Sequence, residues 1–89
     1  MQLDDRPAQN PEATGRLIDD MFFVMHGSAS ELHSLNGVGA EIWQLADGKR
    51  TVAEIARVVS DEYDVESAVA QADVLEFFDT LLAKDLVKI

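Results

Sequence analysis

The first part of the chain alternates short strand-like segments with turn residues. Residues 21–25 form a continuous apolar run, which Asp19-Asp20 separates from the mixed segment 13–18, and a further mixed segment, 31–35, follows a stretch of small residues. Segments of this length between turn signals predict three short strands. Consecutive strands joined by tight turns favour an antiparallel meander that packs one face on helices.

The pattern changes to helical spacing after residue 36. Asn36 suits the N-cap of a first helix, because its side chain can accept a bond from a free backbone N–H. Gly48 ends that helix, since glycine adopts the left-handed conformation that closes a helix at little steric cost. Thr51 and Glu54 then form a capping box, which predicts a second helix from about 52 to 62.

A third and longest helix is predicted from about 67 to 84. Its apolar stripe has the spacing of a helix that packs one face on a core. Asp73 and Thr80 border one flank of the stripe, and Leu75 and Leu82 border the other. Either flank could face a ligand. The stripe consists of Ala70, Val74, Phe77, Phe78 and Leu81.

Length and composition limit the chain to one small domain. It has 89 residues, 47% of them hydrophobic, which suffices for a single core. We expect residues 1–12, with two prolines and almost no large apolar side chain, to form a flexible N-terminal arm, and residues 13–89 to form the domain. No apolar run reaches membrane-spanning length and no signal peptide is evident, so the expected location is the cytoplasm.

The net charge constrains the partners. Seventeen acidic residues against seven basic ones give a formal net charge of −10. DNA and anionic membranes would be repelled, because both are bound chiefly through Lys and Arg, so we expect no nucleic acid and no membrane partner. Basic peptides or basic protein surfaces are the natural electrostatic partners, although the same charge also serves simply to keep a protein in solution.

The residues that carry chemistry do not form a catalytic constellation. There is no cysteine, which excludes disulfides, thiolate metal sites and cysteine nucleophiles. His26 and His33 fall on different predicted strands without a matching ligand set for zinc, and no nucleotide-binding or serine-hydrolase motif is present. We expect no enzyme activity, no cofactor and no metal site. Asp73 stands out, because a charge at the edge of an apolar stripe needs a partner, either a neighbouring backbone amide or a ligand.

The triplet His33-Ser34-Leu35 raises one alternative. Acyl and peptidyl carrier proteins attach phosphopantetheine to the serine of a similar triplet at a helix N-terminus, and they are also small and acidic. Here strand-like residues precede the triplet, and Asn36-Gly37 interrupts the helix start. Modification of Ser34 is kept as an alternative function.

Several short motifs follow one another in a fixed order from about Gly15 to Val87. They are Glu31-Leu32-His33-Ser34-Leu35-Asn36, Gly39-Ala40-Glu41-Ile42-Trp43, Asp47-Gly48-Lys49-Arg50-Thr51-Val52, Ile55, Tyr63-Asp64-Val65, Asp73-Val74, Phe77 and Leu86-Val87. This series resembles the PqqD family of small peptide chaperones in pyrroloquinoline quinone biosynthesis, whose wider relatives are the precursor-peptide recognition elements of ribosomally made, modified peptides. Asp85 departs from the family pattern, in which many relatives have glycine before the final Leu-Val; the departure touches a helix end and not a binding role.

The resemblance implies a fold and a function. The fold is α+β and winged helix-turn-helix-like, with a three-stranded antiparallel sheet followed by three helices. The function is non-catalytic: the leader of a precursor peptide would add as a strand along 31–35, in the groove beside the third helix. The leader would then be presented to a modifying enzyme, often a radical S-adenosylmethionine protein. The peptide-binding residues would be Glu31, Leu32, His33, Ser34, Leu35, Asp73, Val74, Phe77 and Leu81.

That function agrees with the residue pattern. A third strand at the sheet edge would carry unpaired backbone groups, which an added strand satisfies. A protein–protein adaptor built on the same fold is the main alternative, and the pathway could be quinone cofactor synthesis or that of another modified peptide.

Overall fold

The computed structural model of the chain describes residues 1–26 and 32–89. The three-stranded antiparallel sheet and the three helices that follow it confirm the predicted α+β architecture. The elements, in chain order, are β1 Ala8–Gln9, β2 Ala13–Ile18, β3 Met21–His26, β4 Leu32–Leu35, α1 Gly37–Leu45, α2 Val52–Tyr63, α3 Ser67–Ala83 and β5 Val87–Lys88.

A two-residue turn joins β2 to β3. Ile18 pairs with Met21, and between them Asp19 and Asp20 have φ angles of 49° and 68°. Positive φ at both central positions is the signature of a type I′ turn, whose twist matches that of the flanking strands. The predicted hairpin turn at the two aspartates is therefore confirmed.

The central strand of the sheet is β3. The strand order is β2-β3-β4, and both neighbours run antiparallel to β3. In the register of the second pair, Phe22 lies opposite Leu35 and Val24 lies opposite His33. β4 is thus an edge strand, and no strand in the described ranges pairs with its other side.

The core lies between one face of the sheet and the three helices. Trp43 of α1 packs on Phe22 of β3 with ring centroids 5.9 Å apart, and Val24 beside it is fully buried. The helices close the core with apolar stripes at helical spacing. The buried apolar residues of α2 are Val52, Ile55, Ala56 and Val59, and those of α3 are Ala70, Val74, Phe78 and Leu81.

Local capping sets the starts of α1 and α2 where the sequence predicts them. The Asn36 side chain accepts a bond of 2.7 Å from the Gly39 N–H at the start of α1. Thr51 and Glu54 form the reciprocal capping box at the start of α2, with bonds of 3.1 and 2.8 Å. These bonds satisfy backbone amides that the first turn of a helix leaves free.

The end of α1 differs from the prediction that Gly48 closes this helix. α1 ends at Leu45 with Ala46 as its C-cap, which has a φ of −78°. Gly48 has a left-handed φ of +78° two residues later, in the connection to α2.

Residues 1–12 pack on the domain, which differs from the flexible arm that the sequence predicts. β1 pairs antiparallel with β5, and Pro7 just before it is fully buried. Asn10 is only 2% exposed, and its side-chain amide donates a bond of 2.7 Å to the carbonyl of Asp85. Backbone pairing therefore connects the two ends of the chain.

The same segment also caps α2. The N–H groups of Val52 and Ala53, in the first turn of the helix, donate to the carbonyls of Asp5 and Leu3 at 2.9 Å each. These are amides without a partner inside the helix. Because this segment is held by hydrogen bonds to its backbone, its lack of large apolar residues does not leave it loose.

Candidate functional site

β4 presents two faces and an open edge. His33 and Leu35 lie opposite inward-facing residues of β3, so they point towards the helices, whereas Leu32 and Ser34 point away from them and are exposed. An edge strand with no neighbouring strand on one side can accept another extended segment through backbone hydrogen bonds. Glu31, the first residue of the expected binding strand, lies outside the described residues.

Ser34 does not occupy the position that a carrier protein needs. It lies inside β4, opposite Phe23, and α1 begins only at Gly37 with Asn36 as its N-cap. A phosphopantetheine attachment serine would have to stand at a helix N-terminus. The structure therefore removes the geometric basis for the carrier alternative.

A contact between α3 and α1 sets the orientation of α3. The Phe77 ring lies against Gly39 in the first turn of α1, so close that a Cβ atom on Gly39 would be 3.1 Å from the ring Cζ. The contact places Phe77 against the start of α1, which begins two residues after β4 ends. Asp73 and Thr80 lie on the same flank as Phe77, three or four residues away along the helix.

This flank contains a shallow depression. Its volume is about 320 Å³, and it is lined by Asp73, Glu76, Phe77 and Thr80. Phe77 is partly buried and supplies an apolar floor, while the two carboxylates are exposed at the rim. Within the part of the chain that the structure describes, neither carboxylate forms an ion pair with a Lys or Arg. The depression therefore combines an apolar contact with two negative charges.

Two of the expected site residues belong to the core and not to the surface. Val74 is 0% exposed and Leu81 is 2% exposed, so their side chains support α3 from below and do not line the depression. Glu76, in contrast, lines the depression and was not predicted. The signal for it was the spacing of 73, 76, 77 and 80, which places these residues on one side of a helix.

A larger cleft of about 460 Å³ lies between α2 and α3. Its lining comes from α2 and α3, is largely polar and carries charges of both signs. The lining residues are Ala53, Glu54, Arg57, Ser60, Asp61, Ser67 and Gln71. The cleft therefore lacks the aromatic floor that Phe77 gives to the depression on α3.

His26, the histidine of β3, lies beside two carboxylates. Its Nε2 atom lies 3.1 Å from the carboxylate of Asp85 and 3.8 Å from that of Glu12, which connects the sheet to the turn after α3. Among the residues described, no group of three or more His, Asp or Glu side chains is arranged to hold a metal ion. Over the same residues, none of the helices combines the length and apolarity needed to cross a membrane.

Solved structures share this fold over nearly the whole chain. TbiB1 in complex with the TbiA(beta) leader peptide is 25% identical, with a TM-score of 0.80 over 91% of this chain and 94% of that chain. Lasso peptide synthetase B1 complexed with the leader peptide is 23% identical, with a TM-score of 0.83 over 94% and 99%. The PqqD truncation of Methylobacterium extorquens PqqCD is 21% identical, with a TM-score of 0.77 over 93% and 88%. That truncation represents a stand-alone recognition element for ribosomally synthesized and post-translationally modified peptides, and its fold is the one seen here.

Within this class of recognition elements, the sequence identifies the family. Residues 22–87 match the family model of Coenzyme PQQ synthesis protein D (PqqD), and the chain belongs to that family. The PqqA binding proteins of Xanthomonas euvesicatoria pv. vesicatoria (strain 85-10) and Xanthomonas axonopodis pv. citri (strain 306) are each 36% identical over 55 residues. Those 55 residues are 62% of this chain and 60% of each relative, so the match spans less than two thirds of their length. The predicted family is confirmed.

Proposed function

We propose that this chain is a non-catalytic peptide chaperone, which binds the leader of a ribosomally made precursor peptide as an added strand along β4. The bound leader lies between β4 and the flank of α3 that carries Phe77. The chaperone then presents the adjoining core peptide to a modifying enzyme. The observations that carry this proposal are the edge of β4 that no described strand pairs with and the contact of Phe77 with Gly39, in the helix that follows β4.

The alternation of β4 suggests how a leader is read. Residues of an added strand alternate between the two faces of the sheet, as those of β4 do. Every second leader side chain then continues the face of His33 and Leu35 and lies towards α3, where Phe77 offers an apolar contact. The remaining side chains continue the face of Leu32 and Ser34.

Charge supports a basic residue in the leader. Asp73 and Glu76 border the depression, and the chain as a whole carries a net charge of −10. A Lys or Arg in the leader would pair with one of these carboxylates while a neighbouring apolar side chain contacts the Phe77 ring. The preferred leader is therefore an extended segment that combines an apolar residue with a basic one.

The known relatives support the same function. Two relatives are PqqA binding proteins, and two similar structures contain leader peptides. Presentation of the bound peptide raises its local concentration at the enzyme without a chemical step by the chaperone.

The partner enzyme would supply the chemistry. A radical S-adenosylmethionine enzyme would bring its own iron–sulfur cluster, since this chain has no cysteine. The complex would form in the cytoplasm. One added strand is a small interface, so we expect a Kd of about 1 μM or somewhat lower.

An amide-resolved NMR titration tests the binding surface. The ligands are synthetic leaders of the small peptides encoded beside the gene for this chain. We expect saturable shifts along 32–35 and along the flank formed by 73–80. Shifts centred on β2, the other edge of the sheet, or on the cleft between α2 and α3 would contradict the proposed site. Absence of shifts with every neighbouring leader would favour the adaptor alternative.

A second experiment tests strand addition itself. In an antiparallel pair, only every second residue of the added strand directs its N–H towards the neighbour. Leaders that are N-methylated at one backbone amide at a time should therefore lose affinity with a period of two residues. Losses that follow side-chain identity and show no such period would contradict strand addition, even if the leader binds.

A further inference from the structure

The sheet has an apolar face on the side opposite the helices. Its apolar members, which we call the outer sheet face, are Ile18, Met21, Phe23, Met25 and Leu32. Three polar residues flank them on the same side of the sheet: Thr14 opposite Met25, and Arg16 and Ser34 opposite Phe23. Cross-strand pairing places them together, because Ile18 pairs with Met21, and Met25 pairs with Leu32. Ile18 is 44% exposed, Met21 52%, Met25 40% and Leu32 54%, and Phe23 between them is partly buried.

An apolar outer face is unusual for a sheet of this kind. An antiparallel sheet with one face on a core normally alternates apolar residues inside with polar residues outside. Here the inner face already holds Trp43 against Phe22, so the outer residues are not needed for the core. β3 instead reads as a continuous apolar strand, which is the pattern of a strand that is covered on both faces. Contiguous exposed apolar surface of this kind marks an interaction site, and methionine adapts well to different partners.

The charges around the face favour one kind of partner. Two acidic residues, Asp19 and Asp20, stand exposed at the hairpin end of the face, against one exposed basic residue, Arg16, opposite Phe23. Each copy of the chain also carries a net charge of −10. Two copies would therefore repel each other as they approached face to face. A partner with an apolar contact surface bordered by Lys or Arg would be attracted by the same charges.

The face is also continuous with the proposed leader-binding edge. Leu32 belongs to both, because it lies on β4 and points outwards. A leader added along β4 would extend the outer sheet face with its own outward side chains. A protein that covers this face would consequently contact the chaperone and the bound leader at the same time.

We propose that the outer sheet face docks the peptide-modifying enzyme, through an apolar surface on that enzyme bordered by basic side chains. This inference rests on the proposed function and adds the surface at which the enzyme binds. Docking here leaves the depression on α3 and the inner face of the sheet unobstructed. The enzyme distinguishes the loaded chaperone from the empty one, because half of the leader side chains form part of its contact surface.

The test measures two affinities on the same variants: that for the leader and that for the purified modifying enzyme encoded beside the gene. The variant Met21→Thr with Met25→Thr removes apolar surface from β3 while it keeps residues that favour strands. Val58→Ala with Leu82→Ala is the matched control, since these residues are 37% and 36% exposed on α2 and α3. Thermal unfolding and the amide NMR spectrum confirm that each variant is folded.

We expect the threonine variant to bind the enzyme about tenfold more weakly or worse, while its leader affinity stays within about twofold of the parent. The helix control should retain both affinities. As a second variant, Asp19→Asn with Asp20→Gly removes two charges but keeps the sequence that type I′ turns prefer, and it should weaken enzyme binding mainly at low salt.

Three results would overturn the docking surface. These are unchanged enzyme affinity in the folded threonine variant, absence of enzyme binding to the loaded parent, and a parent dimer in sedimentation that the threonine variant abolishes. Failure of the proposed function has a different signature, because the parent would then not bind the leader at all. If the threonine variant still lost enzyme binding in that case, the docking surface would stand without leader presentation.

Discussion

The Phe77 ring lies on the backbone of Gly39, so that a Cβ atom at Gly39 would come within 3.1 Å of the ring Cζ and 3.2 Å of Cε1. Such distances are closer than ordinary van der Waals contact, so a side chain at Gly39 would displace the ring by a few tenths of an ångström. The same Cβ atom would also lie 3.2 Å from Oδ1 of Asn36, the N-cap of α1. The contact joins α3 to the first turn of α1, and α1 begins two residues after β4 ends. Gly39 is for this reason part of the proposed binding groove, although it presents no side chain.

Gly39→Ala should weaken leader binding with little loss of stability. Alanine gains helix propensity, which offsets the crowding, so we expect the free energy of unfolding to change by less than about 1 kcal/mol. The displaced Phe77 ring would narrow the groove and lower leader affinity by about fivefold. Fluorescence anisotropy with a labelled leader measures the affinity, and urea unfolding measures the stability. Gly37→Ala is the matched control, because a Cβ atom there meets nothing within 4 Å; equal leader affinity in both variants would rule out this role for Gly39.

Replacing Asp73 by Asn and Glu76 by Gln should reduce leader affinity through charge alone. Both side chains keep their size, while the depression loses its negative rim. We expect about three- to tenfold weaker binding at about 50 mM salt and a smaller difference at about 500 mM, because ions screen exposed charges. Asp61→Asn with Glu66→Gln removes the same charge elsewhere and serves as the control. A leader whose Lys and Arg are replaced by Gln should bind the parent and the Asp73 and Glu76 variant with the same affinity. If replacing the basic residues lowered the affinity for the parent and for the variant equally, the pairing would be contradicted.

The features predicted correctly from the sequence are those set by neighbours along the chain. The caps at Asn36 and Thr51 and the hairpin turn at Asp19-Asp20 all depend on bonds or torsions within four residues. Such signals are legible in one sequence because no distant residue is needed to satisfy them. The order of strands and helices followed from these boundaries.

The features missed depend on distant partners. Residues 1–12 contain few large apolar side chains, yet backbone bonds to α2 and pairing with β5 hold them in place. The stripe of α3 identified its buried face, but Val74 and Leu81 at its centre are covered while Phe77 at its flank is reachable. Periodicity gives the direction of a side chain around the helix axis and not what lies above it. The depth of each position is decided by tertiary packing.

Gly15→Ala should destabilise the domain, because Gly15 lies under two rings of the core. A Cβ atom there would lie 2.5 Å from Cζ3 of Trp43 and 2.6 Å from Cζ of Phe22. Both rings are packed against each other, so neither can yield without moving the other. We expect a loss of about 1–3 kcal/mol in the free energy of unfolding, measured by urea denaturation. Thr14→Ala, at an exposed neighbouring position of β2, is the control, and an unchanged midpoint for Gly15→Ala would show that the two rings are not tightly packed.

A carboxyl pair between α1 and α2 should make stability depend on pH. A hydrogen bond with the Glu62 carboxyl, together with burial and the negative charge of Glu62, raises the pKa of Glu41. The folded protein thus binds this proton more tightly than the unfolded chain does. The stability from the protonated pair is present at low pH and is lost as the pH rises through the raised pKa of Glu41.

Glu62→Gln tests this pair, because it keeps a hydrogen-bonding side chain but removes the repulsion between two carboxylates. The variant should therefore melt above the parent at neutral pH and close to the parent near about pH 4, where carboxyls take up protons. Asp61→Asn removes a neighbouring charge that is not part of the pair, and if it reproduced the pH profile of Glu62→Gln, the effect would belong to the net charge and not to the contact between Glu41 and Glu62.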